Sequence, residues 1–480
     1  MIFWLGHGRT AHSESDGRPD VPQLSVARRY ARFVRGLTFG GVPAPVVTKA
    51  TSLALDTLGS CLASSKEEFG LAVVEAAERL GGPQESTLIG TKAKAGAASA
   101  VLANATLAHG LDFDDTREDA IVHTGCVAVT TALAVGEALD ASGRAILEAM
   151  IAGVEVMCRV GLAVPGKFHA RHYHPTSLTG GFAAAAVAGK LYGLEEDRLV
   201  HAFGICGSQA GGIIEYLADG SGTKRLHPGW AAHAGVAATL LARSGFTGPE
   251  TVFEGAHGFY QAFAGGYEEA KLEALLANLG RTWELAELTL KPYPCGSIAQ
   301  PYMDCALRLR EQHRLKPEQI AAIRCRTAEG PIPRLWEPLA SKHKPANGYA
   351  SKFSLPYLLA AILVKGRVTL AEFTDDAVRD QAVLAVAGRV GYEVDATIDY
   401  PRQFIGHVAI RLQDGRVLEE RQDNPRAGPN FPMTREEVEA KFRGNATLAV
   451  PHEQASRIIE IVGSLAAQQH VTALMDSLTA

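Results

Sequence analysis

Several long stretches of this chain are apolar around most of their circumference, and they limit the possible fold more than any other feature. Ala95–Ala108, Thr124–Leu139, Gly143–Val164, Ser177–Tyr192 and Gly229–Ser244 consist largely of Ala, Gly, Val and Leu. A helix lying on a surface carries one apolar stripe, whereas one that is apolar nearly all round has to be buried. Side chains this small let backbones approach closely, so these segments predict a tightly packed helical bundle. Leu24–Leu37, Val46–Ser64 and Lys66–Leu80 have helical periodicity too, the last stopping at Gly81-Gly82. With Glu195–Gly211 added, almost only helix is expected up to about residue 280.

The grammar changes near Leu285. Leu288–Pro294 reads as a strand ending in a proline turn, and Ile320–Thr327 alternates as a strand should. Ile298–Gln312 reads as a helix with Pro301 in its first turn. Val408–Gln413 and Arg416–Arg421 flank Asp414-Gly415, a hairpin signature. Arg435–Phe442 and Gln454–Ser464 are helical again. The expectation is a mainly α protein. A flexible extension covers residues 1–21, an all-α helical domain 22–284 and a smaller α+β lid domain 285–425. Residues 426–480 return to the helical domain, which makes it discontinuous.

Composition narrows the function. With 480 residues, a net charge of −5 and no basic stripe, the chain is not expected to bind nucleic acid. No uncharged apolar run has membrane-spanning length, and Met1–Gly6 is too short for a signal sequence. The seven cysteines form no C-x-x-C pair, which suits a reducing, cytoplasmic setting and provides neither a zinc ribbon nor a disulfide framework.

Polar clusters interrupt the apolar segments at three places. Asp112, Asp114, Asp115, Thr116 and His123 follow Ala95–Ala108; His169, His172 and His174 occupy a loop; Lys224, Arg225 and His227 sit in a glycine-rich stretch also read as a loop. Taken singly, each has a structural explanation as a solvated turn, a helix cap or a surface cation. Together, acid, imidazole and ammonium make a general acid–base set. Arg225 suits a bidentate grip on a carboxylate and Lys224 a point contact. No H-E-x-x-H or comparable ligand spacing appears, so no metal is expected. There is no G-x-S-x-G, no phosphate-binding lysine loop and no G-x-G-x-x-G after a strand. Cofactor-free proton chemistry on a small acid is what survives.

Five motifs then resemble those of the MmgE/PrpD family. They are His109-Gly-Leu-Asp-Phe-Asp-Asp-Thr116, His174-Pro-Thr-Ser-Leu-Thr-Gly180, Thr223-Lys-Arg-Leu-His227, Lys291-Pro-Tyr-Pro294 and Ala350-Ser-Lys-Phe-Ser-Leu-Pro-Tyr357. The family includes 2-methylcitrate dehydratase, cis-aconitate decarboxylase and iminodisuccinate epimerase. The resemblance implies a helical domain built from both chain ends, an α+β lid, a homodimer, no cofactor and an active site between the domains. It implies Asp112, Thr116, His123, His174 and Lys224 as catalytic residues, with His174 as the proton-transfer group and Asp112 orienting it or sharing that role. Arg225, His227, Tyr293 and Tyr357 are the expected substrate-binding residues for a small polycarboxylate. Where the decarboxylases carry a lid histidine, this chain reads Tyr293-Pro-Cys-Gly296. That turns the expectation toward a 2-methylcitrate dehydratase-like lyase. Decarboxylase-like and epimerase-like chemistry and a non-catalytic helical scaffold are the alternatives.

Overall fold

The computed structural model describes residues 24–480, so the extension expected over 1–21 lies outside the described residues. The protein is mainly α with a smaller α+β portion. Its first part comprises α1 (Val26–Gly36), α2 (Ala44–Ser64), α3 (Glu68–Leu80), α4 (Ala97–His109), α5 (Gly125–Ala138), α6 (Gly143–Leu162), α7 (Pro175–Leu191), α8 (Glu196–Gln209) and α9 (Thr223–Arg243). The small residues do what their size predicts. α9 lies directly on α7 and α4. A Cβ at Gly235 would stand 2.4 Å from the Gly181 carbonyl oxygen, and one at Gly229 2.4 Å from that of Leu102. These seams are backbone against backbone, and α4, α5 and α7 are buried along nearly their whole length.

One boundary differs from expectation in a way that matters to the site. Lys224, Arg225 and His227 are not in a loop: they form the first turns of α9, which contains Pro228. Pro228-Gly229 mimics a helix break. So near the N-terminus, the missing N–H forfeits only the bond to the Lys224 carbonyl, and packing against α7 and α4 outweighs it.

The smaller portion is built on a four-stranded sheet. β1 (Ile320–Thr327) lies beside the parallel β2 (Val390–Val394) and the antiparallel β3 (Gly406–Leu412), with β4 (Val417–Gln422) at the far edge. The β3–β4 turn contains Asp414-Gly415 as expected, with Gly415 at φ +90°. α10 (Gln300–His313), with Pro301 in its first turn, packs on β3, β4 and α12 (Leu355–Lys365), while α11 (Ile332–Leu335) is a single turn. The strand expected at Leu288–Pro294 is absent. Thr289 only exchanges two backbone bonds with Thr116, of 2.8 and 2.9 Å, because Pro292 and Pro294 cannot donate to a longer ladder.

Two helices near the C-terminal end, α13 (Arg435–Ala446) and α14 (His452–Gly463), pack on α2. Phe442 fills the notch over Gly59, where a Cβ would come within 3.1 Å of its ring. One apolar cluster takes side chains from residues 26–290 and 438–478, and a second runs from Tyr293 to Leu412. The cavity described next lies where these two bodies meet, with walls drawn from both. Among the described residues, no helix is long and apolar enough to cross a membrane.

Candidate active site

The acidic turn after α4 is folded around its own charges. Asp112 takes φ +56°, a left-handed backbone in which Asp is among the less strained residues. Its carboxylate is shared by two ammonium groups: Lys224 Nζ is 2.8 Å from Oδ2 and Lys291 Nζ 2.5 Å from Oδ1. Lys291, completely buried, also donates to the Asp112 carbonyl at 3.1 Å. Burial alone would raise the Asp112 carboxyl, but the two lysines overcome it and hold it well below the usual carboxylate range. Asp112 is therefore a fixed anion.

The other two carboxylates have separate tasks. Asp114 accepts from His109 Nδ1 at 2.7 Å. Asp115 caps α5: its oxygens accept from the Thr124 N–H at 2.9 Å, the Thr124 hydroxyl at 2.7 Å and the Gly125 N–H at 2.7 Å. Burial, reinforced by the neighbouring Asp114 charge, pushes its carboxyl up to about 6. The acidic cluster is thus one ion-pair centre, one histidine partner and one helix cap.

Imidazoles gather beside it. The rings of His109 and His123 are 4.9 Å apart, His109 and His174 5.5 Å, and His123 and His174 6.1 Å. His123 Nδ1 lies 2.7 Å from the Asp115 carbonyl, which can only accept, so Nδ1 carries the proton and Nε2 the lone pair. His174 precedes α7, and its Nδ1 faces His227 Nδ1 at 3.1 Å, so one of those two nitrogens donates to the other. Burial pushes His123 down to about 3, helped by Lys291 and opposed by Asp114. Burial, then Lys224, holds His174 well below its ordinary value. Both rings are therefore neutral at physiological pH.

Asp112, Thr116, His123, His169, His174 and Lys224 line one side of the cavity. Gly296, Ser297, Arg334, Leu335, Phe353 and Phe404 line the other. Thr116 and Ser297 join the two sides through hydroxyls 2.8 Å apart. Lys352, also buried, donates to the Leu111 carbonyl on one side and the Pro294 carbonyl on the other, both at 2.8 Å. Burial lowers it to about 7 against the pull of Asp112.

Comparison with known proteins agrees with this architecture. Residues 28–271 match the MmgE/PrpD N-terminal domain and residues 293–467 the MmgE/PrpD C-terminal domain. The chain belongs to the MmgE/PrpD family. Its similarity to a cis-aconitate decarboxylase-like protein of Aspergillus oryzae is 26% identity, covering 95% of this chain and 97% of that one. The cis-aconitate decarboxylase of Mus musculus is 27% identical, over 92% and 91%. A 2-methylcitrate dehydratase of Cupriavidus necator is 26% identical over 58% of each chain.

Within this MmgE/PrpD protein, five residues singled out in the sequence, Asp112, Thr116, His123, His174 and Lys224, share the cavity wall. The four proposed to bind substrate do not, and each has a physical reason. Arg225 is stacked between the rings of Phe69 and Tyr349, at 4.3 and 4.1 Å, and donates to the Gly110 carbonyl at 3.1 Å. It braces the acidic turn instead of facing the cavity. His227 stands behind His174. Tyr293 donates to Asp304 at 2.9 Å and Tyr357 to the Glu372 carbonyl at 2.6 Å, both within the core of the smaller body. His172 is exposed and off the wall. Lys291, Ser297, Arg334 and His109 were not picked out; their significance is spatial, and only the motif positions of His109 and Lys291 could have signalled it.

Ring nitrogens of His109, His123 and His174 lie within 4.8 Å of one another, as do donor atoms of His109, Asp114 and Cys126. Among the described residues, these are the groups that could hold a metal ion. Local spacing in the sequence does not reveal them, because the histidines come from three separate elements. Among the described residues, His109 Nε2 has no hydrogen-bond partner.

Proposed function

We propose that this protein is a lyase for a small polycarboxylic acid, using general acid–base catalysis to eliminate water in the manner of a 2-methylcitrate dehydratase. The observation that carries the reading is a pair of neutral imidazoles, His123 and His174, facing one cavity beside the Lys224–Asp112–Lys291 clamp. His123 Nε2 holds a lone pair by virtue of its Nδ1–H bond, so it takes the proton α to a carboxylate. When His227 donates to His174 Nδ1, His174 presents an Nε2–H that hydrogen-bonds to the leaving hydroxyl, and the imidazolium formed at His123 delivers the proton to that hydroxyl, so both rings end neutral. The C–H electron pair becomes the new alkene as the C–O bond breaks, and water leaves. Lys224 stabilises the carboxylate as charge develops on it. Asp112 does not shuttle a proton; it fixes both ammonium groups.

Gly296 supports dehydration over decarboxylation, since the lid offers no side chain there to protonate a carbanion-like centre. A second reading, decarboxylation, is supported by the relatives of that name that align along nearly the whole chain. We include the homodimer in the same proposal: Leu226 and Trp230, one turn apart on α9, are 39% and 52% exposed. Incubation with 2-methylcitrate, cis-aconitate and iminodisuccinate tests the chemistry. A conjugated alkene from 2-methylcitrate is expected. Faster carbon dioxide release from cis-aconitate would transfer the reading to decarboxylation, and inertness toward all three would refute it.

A further inference from the structure

The cations in the cavity wall and behind it differ in one respect. Lys224 and Lys291 are already bound to Asp112. Arg334, on the single turn α11, lines the same cavity from the opposite side, and among the described residues no carboxylate pairs with it. Among the described residues, its guanidinium donates only to His169 Nδ1, at 3.3 Å. Burial, and then Arg334 itself, holds His169 well below its ordinary value, so this partner is a neutral acceptor and leaves the arginine charge uncompensated. The backbone beneath is pinned: Lys342 Nζ donates to the Arg334 carbonyl at 2.6 Å and to that of Phe353 at 2.9 Å. Ser297 lines the same cavity and has a hydroxyl, which bonds to that of Thr116 at 2.8 Å.

We infer that Arg334, with Ser297, forms a second carboxylate subsite that receives the end of the substrate remote from the reacting carbon. The inference rests on the proposed polycarboxylate chemistry and adds to it the requirement for two carboxylates held by cations on opposite walls. A guanidinium presents a planar fork that matches a carboxylate in two hydrogen bonds. Arrival of that carboxylate replaces the weak contact to His169, so the acid itself bridges the two bodies. A monocarboxylate engages only one wall.

Direct binding tests this. Propane-1,2,3-tricarboxylate and butyrate are titrated calorimetrically into wild type, Arg334→Gln and Arg334→Lys, with melting curves as the folding control. Loss of a charge-assisted contact predicts an affinity for the tricarboxylate about 10- to 100-fold weaker in Arg334→Gln. Arg334→Lys should recover part of it, millimolar guanidinium should restore part of it to Arg334→Gln, and butyrate should bind all forms alike. With an active substrate, the loss should fall on KM, with kcat changed less than about threefold. Tricarboxylate binding to wild type and Arg334→Gln with equal affinity overturns the subsite and leaves the proposed function standing. Failure of wild type to bind any polycarboxylate overturns the proposed function, and the subsite with it.

Discussion

Asp112→Asn isolates the electrostatic keystone of the cavity. Asn is nearly isosteric and tolerates the φ of +56° at this position, so the change removes charge with little added backbone strain. What remains is Lys291, completely buried, and Lys224, nearly so, with Asp114 Oδ1 3.7 Å from Lys291 as the nearest anion. Removing one partner of a buried pair costs about 3–5 kcal/mol. An independent ceiling follows from proton release. A buried ammonium without a counter-ion can shed its proton, at about 1.4 kcal/mol per pH unit below the ordinary lysine value near 10.4. That is roughly 4.8 kcal/mol at pH 7 and about 2 kcal/mol at pH 9. The sign follows from linkage: the unfolded variant holds more protons than the folded one, so its stability rises with pH. Urea denaturation followed by circular dichroism should show a loss of about 3–5 kcal/mol at pH 7 that shrinks toward about 2 kcal/mol at pH 9. Adding Lys291→Met should return much of the loss. A variant within about 1 kcal/mol of wild type at pH 7, or costs that simply add in the double variant, would refute the shared-carboxylate account.

Lys224→Ala leaves Asp112 paired with Lys291, so the melting curve should change little while kcat/KM falls about 10- to 150-fold; unchanged kinetics would remove Lys224 from the reaction. Gly296→His should raise carbon dioxide release from cis-aconitate and lower the native reaction, because a Cβ there meets nothing closer than 3.6 Å and a side chain has room; no gain in release would dismiss this position as a branch point. His123, pushed by burial down to about 3, contributes stability that is complete above its unfolded value near 6.5 and is lost as pH falls. Between pH 7.5 and 5.5, the wild-type stability advantage over His123→Gln should therefore shrink by about 1.4 kcal/mol, and urea midpoints at the two pH values check it. Exhaustive chelation should leave turnover intact, because the charge of Lys224 beside His109 and His174 disfavours a dication there; loss of activity on chelation, restored by zinc, would overturn this.

The helical body was legible because burial and small-residue composition leave few alternatives for α4, α5 and α7. The hairpin was legible from Asp414-Gly415. β2 was not, because Val390–Val394 pairs in parallel with a strand far back in the chain, and no local turn announces such a partner. Lys224 was legible as chemistry but not as the first turn of a helix, since Pro228-Gly229 imitates a stop. Tyr293 and Tyr357 sit in motifs and look functional, yet their hydroxyls satisfy partners inside the smaller body. Arg334 had no signal at all: an arginine on a four-residue turn becomes conspicuous only when it lines a cavity and, among the described residues, no carboxylate pairs with it.

The backbone seams of the bundle have an evolutionary consequence. At Gly235 and Gly229 a single added methyl group would collide with a carbonyl on the facing helix, so any larger residue forces helices apart. That freezes the half of the cavity carrying His123, His174 and Lys224, whose positions depend on those same helices. At Gly296 the neighbouring atoms lie at ordinary contact distances, and Ser297 and Arg334 stand on short turns. Innovation in such a scaffold has one cheap direction. A lineage acquiring a new acid would keep the proton-handling wall and rewrite the other, and laboratory selection for altered substrates should concentrate its mutations at residues 296, 297 and 334.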